Sequence, residues 1–130
     1  MADYKEKRQF RRLKVNFIVY YAVDRPIELR MIVDDKEVSA LMLDLSQAGM
    51  AILTNHNIPV STILSIKFTL INNAISNIGE KIKKVNILGE VKNNIAISKS
   101  DYRLGILFKD ADKKDRSIIS EFVMLNMDKS

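Results

Sequence analysis

The sequence has no cysteine, which excludes a disulfide framework and any thiolate metal site. It has one histidine, His56, in the stretch "NHNIP" (55–59). Neither a second histidine nor a paired-carboxylate motif accompanies it, so the pattern contains no base–nucleophile pair. The phosphate-cradling signatures GxxxxGK and GxGxxG are both missing. Two adjacent acids, Asp34 and Asp35, stand next to Lys36 and read as turn chemistry rather than a cation site. No apolar run approaches the roughly 20 residues that span a bilayer, and the charged N-terminus lacks the apolar segment of a secretory signal. These absences predict a soluble, cytoplasmic chain that is not an enzyme, does not insert into a membrane and carries no cofactor or metal.

The 130 residues are the length of one domain, and 47% of them are hydrophobic, enough to fill a core. The net charge of +5 is unevenly placed. Residues 1–14 hold six bases (Lys5, Lys7, Arg8, Arg11, Arg12 and Lys14) against Asp3 and Glu6, a local +4; the remainder holds 15 bases and 14 acids. A short basic arm on a nearly neutral body suits a phosphate-bearing partner. A nucleic-acid surface spreads its bases over a groove or face and supplies stacking aromatics, whereas aromatics are 7% of this chain. The balance therefore disfavours nucleic acid. A solubilising basic tail is the plainer alternative.

Hydrophobic alternation dominates the chain. "VNFIVYYAV" (15–23), "IELRMIV" (27–33), "EVSALMLDL" (37–45), "MAILT" (50–54), "LSIKFTL" (64–70), "KVNILGEV" (84–91) and "YRLGILF" (102–108) read as strands. Asp24-Arg25-Pro26, Asp34-Asp35-Lys36 and the asparagine-rich "INNAISNIGE" (71–80) read as turns or loops. Gly89 and Gly105 suit bends or bulges. After Phe108 the period changes: Ile118, Ile119, Phe122, Val123 and Met127 fall at helical spacing. This predicts a helix over 112–127, capped by Asp110 or Asp112, with its apolar stripe on the core. The fold class expected is mainly β, a small antiparallel barrel of six to seven strands with one C-terminal α-helix. Residues 1–14 are expected as a flexible basic arm and 15–130 as the barrel domain with its helix.

Two stretches carry chemistry. In "KRQFRR" (7–12), Arg8 and Arg12 stand four apart. A guanidinium is a planar fork of donors that matches a phosphate or the O6 and N7 acceptors of guanine, and it stacks on a base. In "DLSQAGM" (44–50), Asp44 supplies acceptors for guanine N1–H and N2–H, Ser46 both donates and accepts, and Gly49 permits a sharp turn and close approach of a ligand. The plainer reading is that Asp44 and Ser46 bond local backbone amides.

Arg8-Gln9-Phe10-Arg11-Arg12, Asp44-Leu45-Ser46-Gln47-Ala48-Gly49, and the later "YRLGILF" followed by a helix together resemble the PilZ domain family, over nearly the whole chain. The resemblance implies a bacterial receptor for the second messenger cyclic di-GMP, bound between the arginine arm and the Asp-x-Ser-x-x-Gly turn. The implied ligand-binding residues are Arg8, Arg12, Asp44, Ser46 and Gly49, with Lys7 and Arg11 as further contributors. The output is a rearranged surface read by an unidentified effector protein, in motility, exopolysaccharide synthesis or transcription. A PilZ-like interaction domain without ligand binding and a nucleic-acid-binding β-barrel stay open as alternatives. One departure stands out: the span from Arg12 to Asp44 is long for the family, and "IELRMIVDDK" reads as an added hairpin or extended strand.

Overall fold

Alternation of apolar and polar side chains every second residue lets a strand bury one face and wet the other. A computed structural model describes residues 12–32, 36–71 and 82–127, and in it that alternation produces six strands: β1 (Leu13–Arg25), β2 (Val38–Leu45), β3 (Gly49–Thr54), β4 (Ile63–Ile71), β5 (Ile82–Ala96) and β6 (Tyr102–Lys109). Among the described residues two helices accompany them, α1 (Ile27–Ile32) between β1 and β2, and α2 (Lys113–Met127) after β6. The strands close into an antiparallel barrel in the order β1-β2-β3-β6-β5-β4, so no sheet is left with a free outermost strand. Six is the lower of the two strand numbers expected.

The core is the inward set of each strand. Val19, Tyr21, Met42, Ile52, Leu64, Ile66 and Leu104 are all fully buried. The strictly alternating β4 shows the rule: Leu64, Ile66, Phe68 and Leu70 are buried while Lys67 and Thr69 are exposed. Tyr21 carries the polar group deepest in this set. Its hydroxyl lies 2.7 Å from Thr54 Oγ1, which satisfies it away from water, and burial pushes the phenol above its ordinary value near 10.

The C-terminal helix begins one residue later than the spacing predicts. Asp112 is its cap: Oδ1 accepts from the Asp115 amide at 2.8 Å, and its carbonyl accepts from Arg116 at 3.1 Å. Ile119, Phe122 and Val123 are buried, and the Phe122 ring meets Phe17 edge-on at 5.7 Å, so the stripe covers the barrel mouth as expected. Among the described residues, no helix is long and apolar enough to cross a membrane.

The strand expected over 27–33 is a correction: residues 27–32 form α1. The period-two pattern there is short, and a short apolar run does not separate strand from helix. Pro26 starts the turn, with its carbonyl accepting from Leu29 N at 3.2 Å. Of the alternating set, Leu29 is buried while Ile27 is 65% exposed, which a half-buried strand would not leave. Arg30 Nε donates to the Val23 carbonyl at 3.0 Å and ties the helix back to β1. Gly89 is not at a bend: it runs straight through β5, facing inward, where a Cβ would collide with the Ile106 side chain. Gly105 does lie beside a bulge, opposite Asn93 where the β5–β6 register shifts. The loop expected over 71–80 has only Ile71 among the described residues, and Asp34-Asp35 lies outside them.

Tyr21→Phe should lower stability by about 1 kcal/mol near neutral pH, since it leaves Thr54 without its buried partner. The raised phenol value adds a pH signature. The stabilisation is complete below about pH 10 and is lost as the pH rises through the barrel's higher value, because the unfolded tyrosine ionises first. Denaturant titrations of both proteins from pH 7 to 11 should show the wild type losing its advantage over Tyr21→Phe in that window; parallel curves would rule out the buried phenol as the cause.

Candidate functional site

The site begins with one extra residue in β2. Met42 pairs with Ile52, and Asp44 pairs with the very next residue back, Ala51, so Leu43 has no opposite number. This bulge resets the alternation. Met42 and Leu45 are both fully buried, although three positions apart, and Asp44 is moved to the outer face. Without the extra residue Asp44 would share the inward side with Met42.

On that face Asp44 is 9% exposed and its carboxylate is held on both oxygens. Oδ1 accepts from the Ala51 amide at 3.1 Å. Oδ2 accepts from Arg103 Nη2 at 3.2 Å, and Arg12 Nη1 stands 3.6 Å from the same oxygen. Lys14, opposite Asp44 in the β1–β2 register, is exposed beside it. Two guanidiniums and an ammonium around one carboxylate leave a local excess of positive charge, which favours an anion.

Ser46 and Gly49 shape the turn that follows. The Ser46 hydroxyl accepts from the Ala48 and Gly49 amides, each at 3.2 Å, and donates to the Gly49 carbonyl at 3.3 Å. Its own amide donates to the Gly49 carbonyl at 2.9 Å. The Ala48 carbonyl accepts from Phe108 N at 2.9 Å, which fastens the turn to β6. No glycine here has a positive φ, so Gly49 is not needed for a left-handed turn. It is needed for space, because a Cβ would collide with the Ile106 carbonyl. The local-backbone reading of Asp44 and Ser46 therefore holds within the chain itself, and the outward oxygen of Asp44 is what remains for chemistry.

Beyond Asp44 the outer face is low. The row continues through Ala51, Gly105 and Asn93, and Asn93 Oδ1 accepts from Gly105 N at 3.0 Å. On one side of it lie Leu53, Arg103 and Ile95; on the other lie Gly49, Leu107 and Glu90. Ile95 and Leu107 are 50% and 41% exposed. Glu90 closes the far side, bonded to Lys109 at 2.9 Å and Lys92 at 3.0 Å; those two bonds, Lys109's first, draw its pKa below the usual carboxylate range. The result is a shallow shelf with an apolar floor, a carboxylate at one edge and guanidiniums over it. Its groups offer acceptors, donors and positive charge side by side, chemistry that suits a planar, hydrogen-bonding anion.

The structure thus brings together Asp44, Ser46, Gly49 and Arg12 of the residues picked from the sequence. Lys7, Arg8 and Arg11 lie outside the described residues. His56 is remote from this cluster in the chain's hydrogen bonding: its amide donates to Thr54 Oγ1 at 3.3 Å. Among the described residues no group of three or more histidine or acidic side chains is placed to hold a metal ion. Sequence reasoning missed Arg103. The alternation of "YRLGILF" does put Arg103 on the face opposite Leu104 and Ile106, but only the β3–β6 pairing brings it to Asp44, 59 positions away in sequence.

The family model of the PilZ domain matches residues 6–125. No curated protein matches the chain. Among solved structures, the chain is similar to the Bacillus subtilis inhibitor of motility MotI/DgrA, with a TM-score of 0.72 at 10% identity over 95% of this chain and 53% of that one. It is also similar to the PilZ domain of YcgR from Escherichia coli with c-di-GMP (0.61, 12%, 95% and 93%). A third likeness is to the K. pneumonia MrkH–c-di-GMP complex (0.61, 16%, 95% and 53%). The chain spans about half the length of the motility inhibitor and of MrkH. At these identities the likeness is one of fold, and the family match, from before β1 into the last turn of α2, makes the chain a member of the PilZ domain family.

Proposed function

We propose that the chain is a cyclic di-GMP receptor rather than a catalyst, and that it binds the dinucleotide on the shelf beside Asp44. The observation that supports this most is the carboxylate itself. The β2 bulge spends a register shift to present one nearly buried acid on the outside of the barrel, between arginines. A general phosphate site has no use for that charge; a guanine, which offers N1–H and N2–H, does. YcgR and MrkH, two of the similar structures, hold c-di-GMP.

In this reading Arg8 and Arg12 meet phosphates and the O6/N7 edge of guanine, with Lys7 and Arg11 adding charge. Asp44 accepts from the guanine's other edge. Ser46 and Gly49 act by holding the turn, and with it the position of Asp44, against β6. Arg12 lies near Asp44 in the free chain, so binding exchanges an internal ion pair for contacts to the ligand, and Arg103 stays to orient the carboxylate. Gln47 of the turn shares a cleft of about 520 Å³ with Ser117, Ser120 and Met124 of α2. A ligand seated at the turn therefore alters a surface that an effector protein can read.

Arg8→Ala and Arg12→Ala should each weaken cyclic di-GMP binding by about 1.5–3 kcal/mol, roughly tenfold to more than a hundredfold, with the fold intact by circular dichroism. Amide exchange should show residues 1–12 gaining protection when nucleotide is added. Unchanged affinity in both variants, with no gain of protection, would reduce the arm to a basic tail.

Asp44→Ala should cost about 1–3 kcal/mol of binding, and Asp44→Asn less, since an amide oxygen still accepts one bond. Cyclic di-AMP, which lacks the N2 amine, should bind far more weakly. Calorimetry with both nucleotides, beside a single-stranded oligonucleotide, separates the possibilities. Equal affinity for the two dinucleotides, or stronger oligonucleotide binding, would defeat the guanine reading.

Arg103→Ala should weaken cyclic di-GMP binding less than Asp44→Ala, with Arg103→Lys recovering part of the loss, because Arg103 acts through the carboxylate. A loss in Arg103→Ala equal to that in Arg12→Ala would instead make it a direct contact.

A further inference from the structure

The barrel is closed but unevenly zipped. β1 and β4 pair only from Tyr20–Lys67 to Arg25–Ile63. Continued antiparallel pairing would set Val19 against Phe68, Ile18 against Thr69 and Phe17 against Leu70, and none of these pairs is made. β1 keeps to β2 over this stretch, through an irregularity between Lys14 and Phe17. β4 keeps to β5 all the way to Ile71–Ile82. The two strands therefore part, and each carries a short main-chain edge that the other does not satisfy.

A groove of about 530 Å³ opens at this seam. Its walls are outward-facing side chains: Ile18 and Tyr20 of β1, Lys67 and Thr69 of β4, and Lys84 of β5. Its floor is the edge of the core, Phe17, Phe68 and Val85. Ile18 and Tyr20 are 56% and 48% exposed. Lys67 reaches Glu37 at 3.3 Å, while Lys84 pairs with no acid among the described residues.

We infer that this seam is a docking site for an extended strand of a partner protein, one whose side chains alternate between apolar and acidic. The class of occupant follows from the edge. Amides and carbonyls that no strand among the described residues pairs are satisfied by another extended chain, which adds main-chain bonds along β4. The stretch from Phe68 to Ile71 that β1 leaves without a partner is four residues, about 13 Å at roughly 3.3 Å per residue, so a short segment covers it. The side chains follow from the two faces of the seam. Those turned inward meet Phe17 and Phe68 and must be apolar. Those turned outward fall beside Thr69 and the Lys67 and Lys84 ammoniums and should be acidic. The site is separate from the nucleotide shelf, which uses the outer faces of β2, β3 and β6 and only the later part of β5, from Glu90 to Ile95, whereas the seam meets β5 at Lys84 and Val85.

The test uses the full chain and a capped seven-residue peptide of alternating valine and glutamate. Chemical shifts of labelled protein should move at residues 16–20, 67–70 and 84–86. Methylating alternate peptide nitrogens, which removes the strand-edge donors, should weaken binding about tenfold or more. Lys84→Glu should weaken the glutamate peptide and strengthen a valine–lysine one; the exposed position leaves the fold alone. Four results would overturn the proposal: no shift at millimolar peptide, equal binding of the methylated peptide, indifference to the charge reversal, or slow exchange of the Phe68–Ile71 edge amides in the free protein. The last would mean that the chain itself, or a second copy, already fills the seam.

Discussion

The unpaired Leu43 in β2 decides which side of the barrel each neighbouring residue serves. A strand's side chains alternate without exception, so a chain that needs Met42 and Leu45 in the core cannot also hold Asp44 outside unless the count is broken between them. The break is kept because both sides of it are tied down. Leu45 is fully buried, and Asp44 accepts from the Ala51 amide and from Arg103. The core and the outer face that carries Asp44 are thus fixed by the same irregularity. A change that restored regular pairing would turn the carboxylate inward, where an ion without partners is costly.

The turn after β2 shows how a motif is divided between scaffold and chemistry. Ser46 and Gly49, two of the three residues of the Asp-x-Ser-x-x-Gly pattern, are consumed in holding the hairpin against β6. The Ser46 oxygen spends its lone pairs on two amides, and Gly49 makes room for the Ile106 carbonyl. Asp44 alone faces outward with charge to offer. The motif residues thus divide into two that build the turn and one whose charge is left on the outer face.

How much of this was legible in the sequence depended on the range of the interaction. The alternation of β4 and the helical spacing of Ile119, Phe122 and Val123 are local, and both elements form where the spacing puts them. The Ser46–Gly49 turn was likewise visible because the bonds of the Ser46 hydroxyl span three residues or fewer. The helix at 27–32 was not, because six residues of mixed pattern satisfy either period and what decided the matter was Pro26 and the burial of Leu29. Arg103 was out of reach because its partner is set by strand order. The bulge at Leu43 leaves no mark in composition: "LMLDL" is as good a regular strand as an irregular one.

The connection between β1 and β2 carries α1 instead of a tight hairpin, so no two-residue turn dictates how these two strands slide past each other. Their alignment rests on side chains: Val19 and Tyr21 on one strand, Ala40 and Met42 on the other, and Lys14 beside Asp44 at the far end. Within the link, Leu29 in the core and the Arg30 bond to Val23 fix α1 against β1, so a change of length that spares these two anchors leaves the barrel's alignment to the strands' own side chains. New sequence spliced in beyond those anchors would meet the acid at the opposite end of β2 only through the length of the strand, which the β1–β2 register holds.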